Sequence, residues 1–334
     1  MYIIESYSLA VVFTIVTMLC WGSWGNTQKL AAKNWRYQLF YWDYVIGVVL
    51  LGLIVGLTLG STGDQGRSFI TDLGQVSSAN IWSAILGGII FNASNILLSA
   101  SISIAGMAVA FPLGVGLALV LGVIINYMSS PKGDPMILFA GVALIMIAII
   151  FNGIASGKMK KADKAASSKG IWLAIVAGIL MSVFYRFVAA AMDVNNFESP
   201  TPGMATPYSA FFIFTLGMLA SNFVFNTFIM NKPFVGVPVT YGQYFKGSFP
   251  THMVGIIGGL IWGLGTVLSF MAAGKAGAAI SYGLGQGATM VAALWGVFIW
   301  KEFKGGGRNV NLLLFLMFVL FISGLALIIL SGGN

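Results

Sequence analysis

Charge is what this chain has least of. Only 8% of its 334 residues are charged, against roughly a quarter in soluble domains. Cysteine and histidine are almost missing as well. Cys20 is the single cysteine and His252 the single histidine. An intrachain disulfide is excluded, and there is no Cys/His set for zinc or iron and no basis for a histidine-centred triad. One histidine also leaves no His-Glu-x-x-His pair for an intramembrane protease. The chain therefore reads as a non-enzyme with no cofactor and no metal. Residues 1–7 contain Glu5 but no Lys or Arg, so the basic start of a cleavable leader is absent and the first apolar run is expected to remain as a helix.

What is abundant is apolar surface. Hydrophobic residues make up 58% of the chain, and 43 glycines sit largely within apolar runs. Small residues inside such runs let helix backbones approach closely in lipid. The pattern predicts an all-α polytopic membrane protein. A crossing needs about 20 apolar residues, and ten such runs are present, at 8–30, 39–60, 81–103, 105–127, 136–156, 170–192, 207–230, 251–273, 277–299 and 310–331.

The net charge of +8 is a statement about topology rather than about nucleic acid. Lys29, Lys33, Arg36, Lys158, Lys160, Lys161, Lys164, Lys169, Lys232, Lys246, Lys301, Lys304 and Arg308 fall in one set of loops, and only Arg67, Lys132 and Lys275 in the other. Basic loops stay in the cytoplasm. The expectation is a cell (inner or plasma) membrane protein with both termini outside and 157–169 as a cytoplasmic linker.

The halves repeat. A shift of 171 places Gly87-Gly88 on Gly258-Gly259, Phe91 on Trp262, Gly106 on Gly277, Phe111 on Tyr282, Gly114 on Gly285 and Gly116 on Gly287. Five crossings per half make the two modules, 1–156 and 170–334, run through the membrane in opposite senses. Such inverted repeats belong to transporters, with the solute site near the midplane between the halves.

The opening Met1-Tyr2-Ile3-Ile4-Glu5-Ser6, the Trp21-Gly22 and Asp43-Tyr44 pairs and the Asn126-Tyr127 pair resemble the ureide permeases. The ten-span 5+5 plan also resembles the drug/metabolite transporter superfamily, including its glucose/ribose porters and rhamnose–proton symporters. The resemblance implies uptake of a small polar solute, a sugar or a ureide, together with protons. The 157–169 linker has no Gly-x-x-x-x-Gly-Lys-Ser/Thr, so ATP coupling has no footing.

Polar groups inside spans are costly and ask for a reason. Asp43, about one turn into the second span, is expected to carry the coupling proton; the alternative is an interfacial carboxylate paired with Lys29, Lys33 or Arg36. Arg186, in the sixth span, suits a solute or a gate with Asp193 or Asp43, or else snorkels to the surface. Asn92 and Asn95 share a helix face and suit a solute with donors and acceptors, or glue between helices. Tyr282 and Gln286, with Trp262 before them, form a polar face with an aromatic platform. Trp21 and Trp24 are deep enough to line the same cavity. His252 is expected at the interface. Together these residues favour a proton-coupled permease importing a sugar. The alternatives are a ureide or nucleobase permease, and a drug or metabolite exporter of the same fold.

Overall fold

The computed structural model describes residues 1–159 and 164–333. Ten long apolar helices run back and forth through one bundle: α1 (Tyr7–Ala31), α2 (Tyr37–Leu57), α3 (Ser78–Ala105), α4 (Met107–Ser129), α5 (Pro135–Met159), α6 (Lys164–Ala191), α7 (Pro207–Asn231), α8 (Phe249–Ala276), α9 (Ala278–Ile299) and α10 (Gly307–Ser331). Two short helices, Phe69–Gln75 and Tyr241–Phe245, precede α3 and α8. The only strand-like feature among the described residues is an isolated bridge between Met192 and Ala205. The protein is an all-α polytopic membrane protein, as its composition requires.

Observed helices overrun several expected limits because hydropathy marks only the lipid-buried length, while polar ends continue the backbone ladder into water. Ser77 at the start of α3 and Thr206 at the start of α7 accept hydrogen bonds from Asn80 N and Ser209 N, satisfying amides that a helix start leaves open. The flanking helices run into the segment expected as the 157–169 linker on the same ground. Helix α5 continues through Met159 and α6 begins at Lys164, and 160–163 lie outside the described residues.

The chain termini share one end of the bundle. The Met1 ammonium donates to Gln65 O at 2.6 Å, and Asp134 N donates to Ser331 O at 2.7 Å. The linker side of α5 and α6 is the opposite end.

Helix α3 packs on α6 and α7, and α8 packs on α1 and α2, so the third helix of each half is embraced by the first two of the other. Glycines set these crossings. A Cβ on Gly88 would strike Phe214 O, and one on Gly217 would strike Ile85 O. In α2 and α8, Gly259 and Gly47 abut Tyr44 O and Ile256 O in the same way. The two sharp turns are also alike. Gly106 joins α3 to α4 at φ 82°, ψ 163°, and Gly277 joins α8 to α9 at φ 82°, ψ 157°, a backbone that residues with a Cβ avoid. The first lies at the linker end and the second at the terminal end.

Candidate functional site

Mid-bundle, α1, α3, α4, α6, α8 and α9 converge on a small aromatic cavity. Trp262 of α8 is its centre. Its ring lies 4.3 Å from Phe91 and 6.1 Å from Phe214, both stacked, and 6.2 Å from Trp21 with only 12° between planes. Trp24 closes another side and packs on Tyr44 at 4.9 Å and Phe111 at 6.3 Å. Trp21 is held by its Nε1, which donates to Thr266 Oγ1 at 3.0 Å. Aromatic faces fixed in this way gain from offset stacking with one another and with a flat guest.

Few polar groups face the cavity, and one of them keeps an open donor. Gln286 of α9, which also meets the Tyr282 hydroxyl, and Asn95 of α3 line it. Each is 1% exposed, so neither reaches water. Asn95 stands beside the Tyr41 and Tyr44 hydroxyls, yet its Nδ2 and the Tyr44 hydroxyl have no hydrogen-bond partner among the described residues. A buried donor left open is paid for in stability and marks a place where a guest's acceptor fits. No Asp, Glu, Lys, Arg or His lines the cavity among the described residues. Its free volume is about 20 Å³, room for a water and little more.

The structure brings together five of the residues singled out above: Trp21, Trp24, Asn95, Trp262 and Gln286. Tyr282 stands at the margin, its ring against Phe184 and Tyr185 and its hydroxyl donating to Met181 O at 2.9 Å. Asn92 points away to α7, where its Nδ2 donates to Ser221 Oγ at 2.9 Å. Arg186 is elsewhere, in a groove at the terminal end with Asn126 and Ser129.

Asp43 also lies outside the cavity, near the linker end, and is 1% exposed. Among the described residues it does not pair with a lysine or arginine. Lys29 pairs with Glu302, and Arg36 donates to Val235 O. Instead, Asp43 Oδ2 accepts from Trp35 Nε1 at 3.0 Å, Oδ1 accepts from the Tyr244 hydroxyl at 2.7 Å, and His252 Nδ1 lies 2.7 Å from Oδ1. The cluster ties α2, α8 and the short Tyr241–Phe245 helix together. Burial and the adjacent Asp43 carboxylate push the Tyr244 phenol well above its usual range, so it stays a donor.

The terminal end has its own buried acid, which sequence reasoning passed over as loop charge. Asp72, with a fully buried side chain, accepts from Arg67 Nε at 2.8 Å and from Thr206 N at 2.7 Å. Arg67 also donates to Pro200 O and Met204 O, both at 2.6 Å. Phe91 and Phe111 were legible through the repeat, as partners of Trp262 and Tyr282. The His252–Asp43 contact, 209 residues apart, leaves no local trace.

The ureide permease family model matches residues 40–169 and 157–331. The chain belongs to the ureide permease family. Ureide permease 1 of Arabidopsis thaliana is 24% identical, with 100% of both chains aligned. A putative sugar uptake protein of Lactiplantibacillus plantarum is 20% identical over 89% of this chain and 90% of its own. The probable glucose uptake protein GlcU of Staphylococcus aureus is 24% identical over 79% and 80%. A solved crystal structure with 15% identity overlays 95% of this chain and 97% of its own at a TM-score of 0.57, a likeness of fold alone. Members of this family are permeases, and the chain is a membrane transporter rather than an enzyme.

Proposed function

We propose that this ureide permease family member is a proton-coupled importer of a small, neutral, ring-shaped polar solute of ureide or nucleobase type. The observation that carries the reading is the cavity's make-up: parallel Trp21 and Trp262 faces, an unpartnered Asn95 amide N–H, Gln286 in the same lining, and no ionisable lining group among the described residues. A flat amide ring stacks on the indoles and offers carbonyl and N–H edges to the two amides. A lipophilic cation would need a carboxylate in the cavity, which argues against an exporter of cationic drugs. The names of the Arabidopsis relatives point the same way. A sugar is the second reading, favoured by the bacterial uptake relatives and by the fit of a pyranose face on Trp262.

Import of this kind needs two accessible states of similar energy. The proposal is that 1–156 and 170–334 are inverted repeats rocking about the cavity, with both termini outside and the linker end in the cytoplasm. It is supported by the matched Gly106 and Gly277 turns at opposite ends and by the paired Gly88–Phe214 and Gly259–Tyr44 crossings. Asp43 and His252 would exchange the proton at the linker end.

Reconstituted vesicles should accumulate labelled allantoin or uracil under an inward proton gradient, more than glucose, and Trp262→Ala should abolish it. Accumulation of glucose alone would replace the ureide with the sugar. Expulsion of a lipophilic cation with no uptake of any of the three would sink the importer.

A further inference from the structure

A second cavity, of about 540 Å³, opens at the terminal end between the last turn of α4, the last turns of α6 and the first residue of α9. It is separate from the aromatic site and shares no lining residue with it. Arg186 reaches into it from α6, and no described residue gives its guanidinium a hydrogen bond or an ion pair. Arg186 is exposed near the end of its span, where an arginine snorkels to the interface and its free donors meet the depth of lipid phosphates. Asn126 supplies the complement. Its side chain is 1% exposed, its Nδ2 donates to Gly122 O at 2.7 Å, and its Oδ1 accepts from nothing described. The groove thus offers several donors without acceptors and one buried acceptor without a donor.

The rim is basic. The Lys132 side chain lies along Gly277, next to the lining Ala278, with Lys275 nearby. Burial and Lys275 depress the Lys132 ammonium below its usual range, a penalty that a bound anion would relieve. The local carboxylates are engaged elsewhere. Glu198 faces Lys275, Asp134 caps α5 through Met136 N and Ile137 N, and Asp193 is held by Thr201. One wall is Met128, 78% exposed on the outside of the bundle, so the groove is continuous with the lipid-facing surface.

We propose that this groove binds an oxyanion carrying a neighbouring hydroxyl or ammonium, as in a phospholipid headgroup, with the phosphate on Arg186 and the hydroxyl or ammonium on Asn126 Oδ1. The bidentate fork of arginine matches a phosphate, and the orphaned amide oxygen selects headgroups that still have an N–H or O–H. Phosphatidylglycerol and phosphatidylethanolamine qualify. Phosphatidylcholine, whose ammonium has no hydrogen to donate, does not.

The test is native mass spectrometry of the full-length protein in detergent, titrated with each of the three lipids and, separately, with soluble glycerol 3-phosphate. One tightly held phosphatidylglycerol or phosphatidylethanolamine is expected, with phosphatidylcholine weaker. Arg186→Gln should weaken it about tenfold or more, the scale of a lost charge-assisted hydrogen bond, and Arg186→Lys by less. Asn126→Leu should erase the preference over phosphatidylcholine while the protein keeps its thermal stability. Equal retention in Arg186→Gln overturns the site. Glycerol 3-phosphate binding as tightly as the lipids overturns the lipid source and assigns the groove to a soluble anion.

Discussion

Asp43→Asn separates a proton carrier from a latch. The amide keeps the shape of the carboxylate but removes its charge. Trp35, Tyr244 and His252 all engage this group, at 3.0, 2.7 and 2.7 Å. Hydrogen bonds to a charged partner are worth about 1.5–3 kcal/mol and neutral ones about 0.5–1.5, so neutralisation costs about 1 kcal/mol per bond, or about 3 kcal/mol over the cluster. That is about two decades in any equilibrium the cluster governs. The discriminating assay compares gradient-driven accumulation with counterflow, in which solute exchanges between equal pools and no net proton need move. A proton carrier at Asp43 predicts that the variant loses accumulation and keeps counterflow. Accumulation that still rises with an inward proton gradient would refute the role. Loss of both activities with an unchanged melting temperature would make Asp43 a latch on α8 and nothing more.

Two further outcomes concern the terminal end. Arg67→Gln leaves the fully buried Asp72 carboxylate with the Thr206 N–H and Gln75 Nε2 but without its cation, and losing a hydrogen bond to a charged group costs about 1.5–3 kcal/mol; thermal unfolding in detergent should show the loss, and Asp72→Asn in the same chain should recover part of it. Burial tends to raise the Asp193 pKa, but hydrogen bonds from the Thr201 N–H and hydroxyl, and from the Asn195 and Asn196 N–H groups, outweigh this and hold it below the usual carboxylate range. A depressed folded-state pKa means that the stabilisation is fully present above the ordinary carboxylate range and is lost as pH falls through the lowered value. Protection of the Thr201 amide, its exchange compared with an unstructured chain at the same pH, should therefore persist at neutral pH and fall only in strong acid, and Asp193→Asn should lower it at neutral pH.

The ten helices were legible because lipid imposes a length and a composition on every crossing, and no tertiary context competes with that signal. Trp21, Trp24, Asn95, Trp262 and Gln286 were legible for a related reason. A polar or amphipathic side chain deep in an apolar run stands out against its background. Which way such a residue points does not stand out. Helices that are apolar on every side carry no stripe to orient them, so Arg186 and Asn92 read the same as Asn95 until packing directs one to a groove, one to Ser221 and one to the cavity. The partners of Asp43 were illegible because Tyr244 and His252 meet it from 201 and 209 residues away, across a loop whose path depends on the short Tyr241–Phe245 helix. Arg67 and Asp72 were hidden differently. They sit five apart between two spans, Asp72 in the short Phe69–Gln75 helix, where charge is ordinary, and only burial shows that they are structural.

The distance between Asp43 and the aromatic cavity matters for the proposed coupling, because the proton and the solute would then not share a site. Successive residues on a helix point about 100° apart. On α2, Asp43 therefore faces α8, where it abuts Gly255, while Tyr44 faces Trp24 in the cavity wall. Freeing Asp43 from His252 would let α2 shift against α8 and carry the Tyr44 ring with it. The surface on which that shift runs is the glycine crossing, where Gly47 lies against the Ile256 carbonyl and Gly259 against that of Tyr44. Gly47→Ala puts a methyl group into backbone that cannot move aside as a side chain would, at a cost of about 1–3 kcal/mol. It touches neither Asp43 nor Trp262. It should leave solute binding measurable and the ratio of accumulated to external solute strongly reduced, whereas Gly153→Ala, with open space around its added methyl, should change neither. An undiminished accumulation ratio in Gly47→Ala would mean that coupling does not pass through the α2–α8 contact.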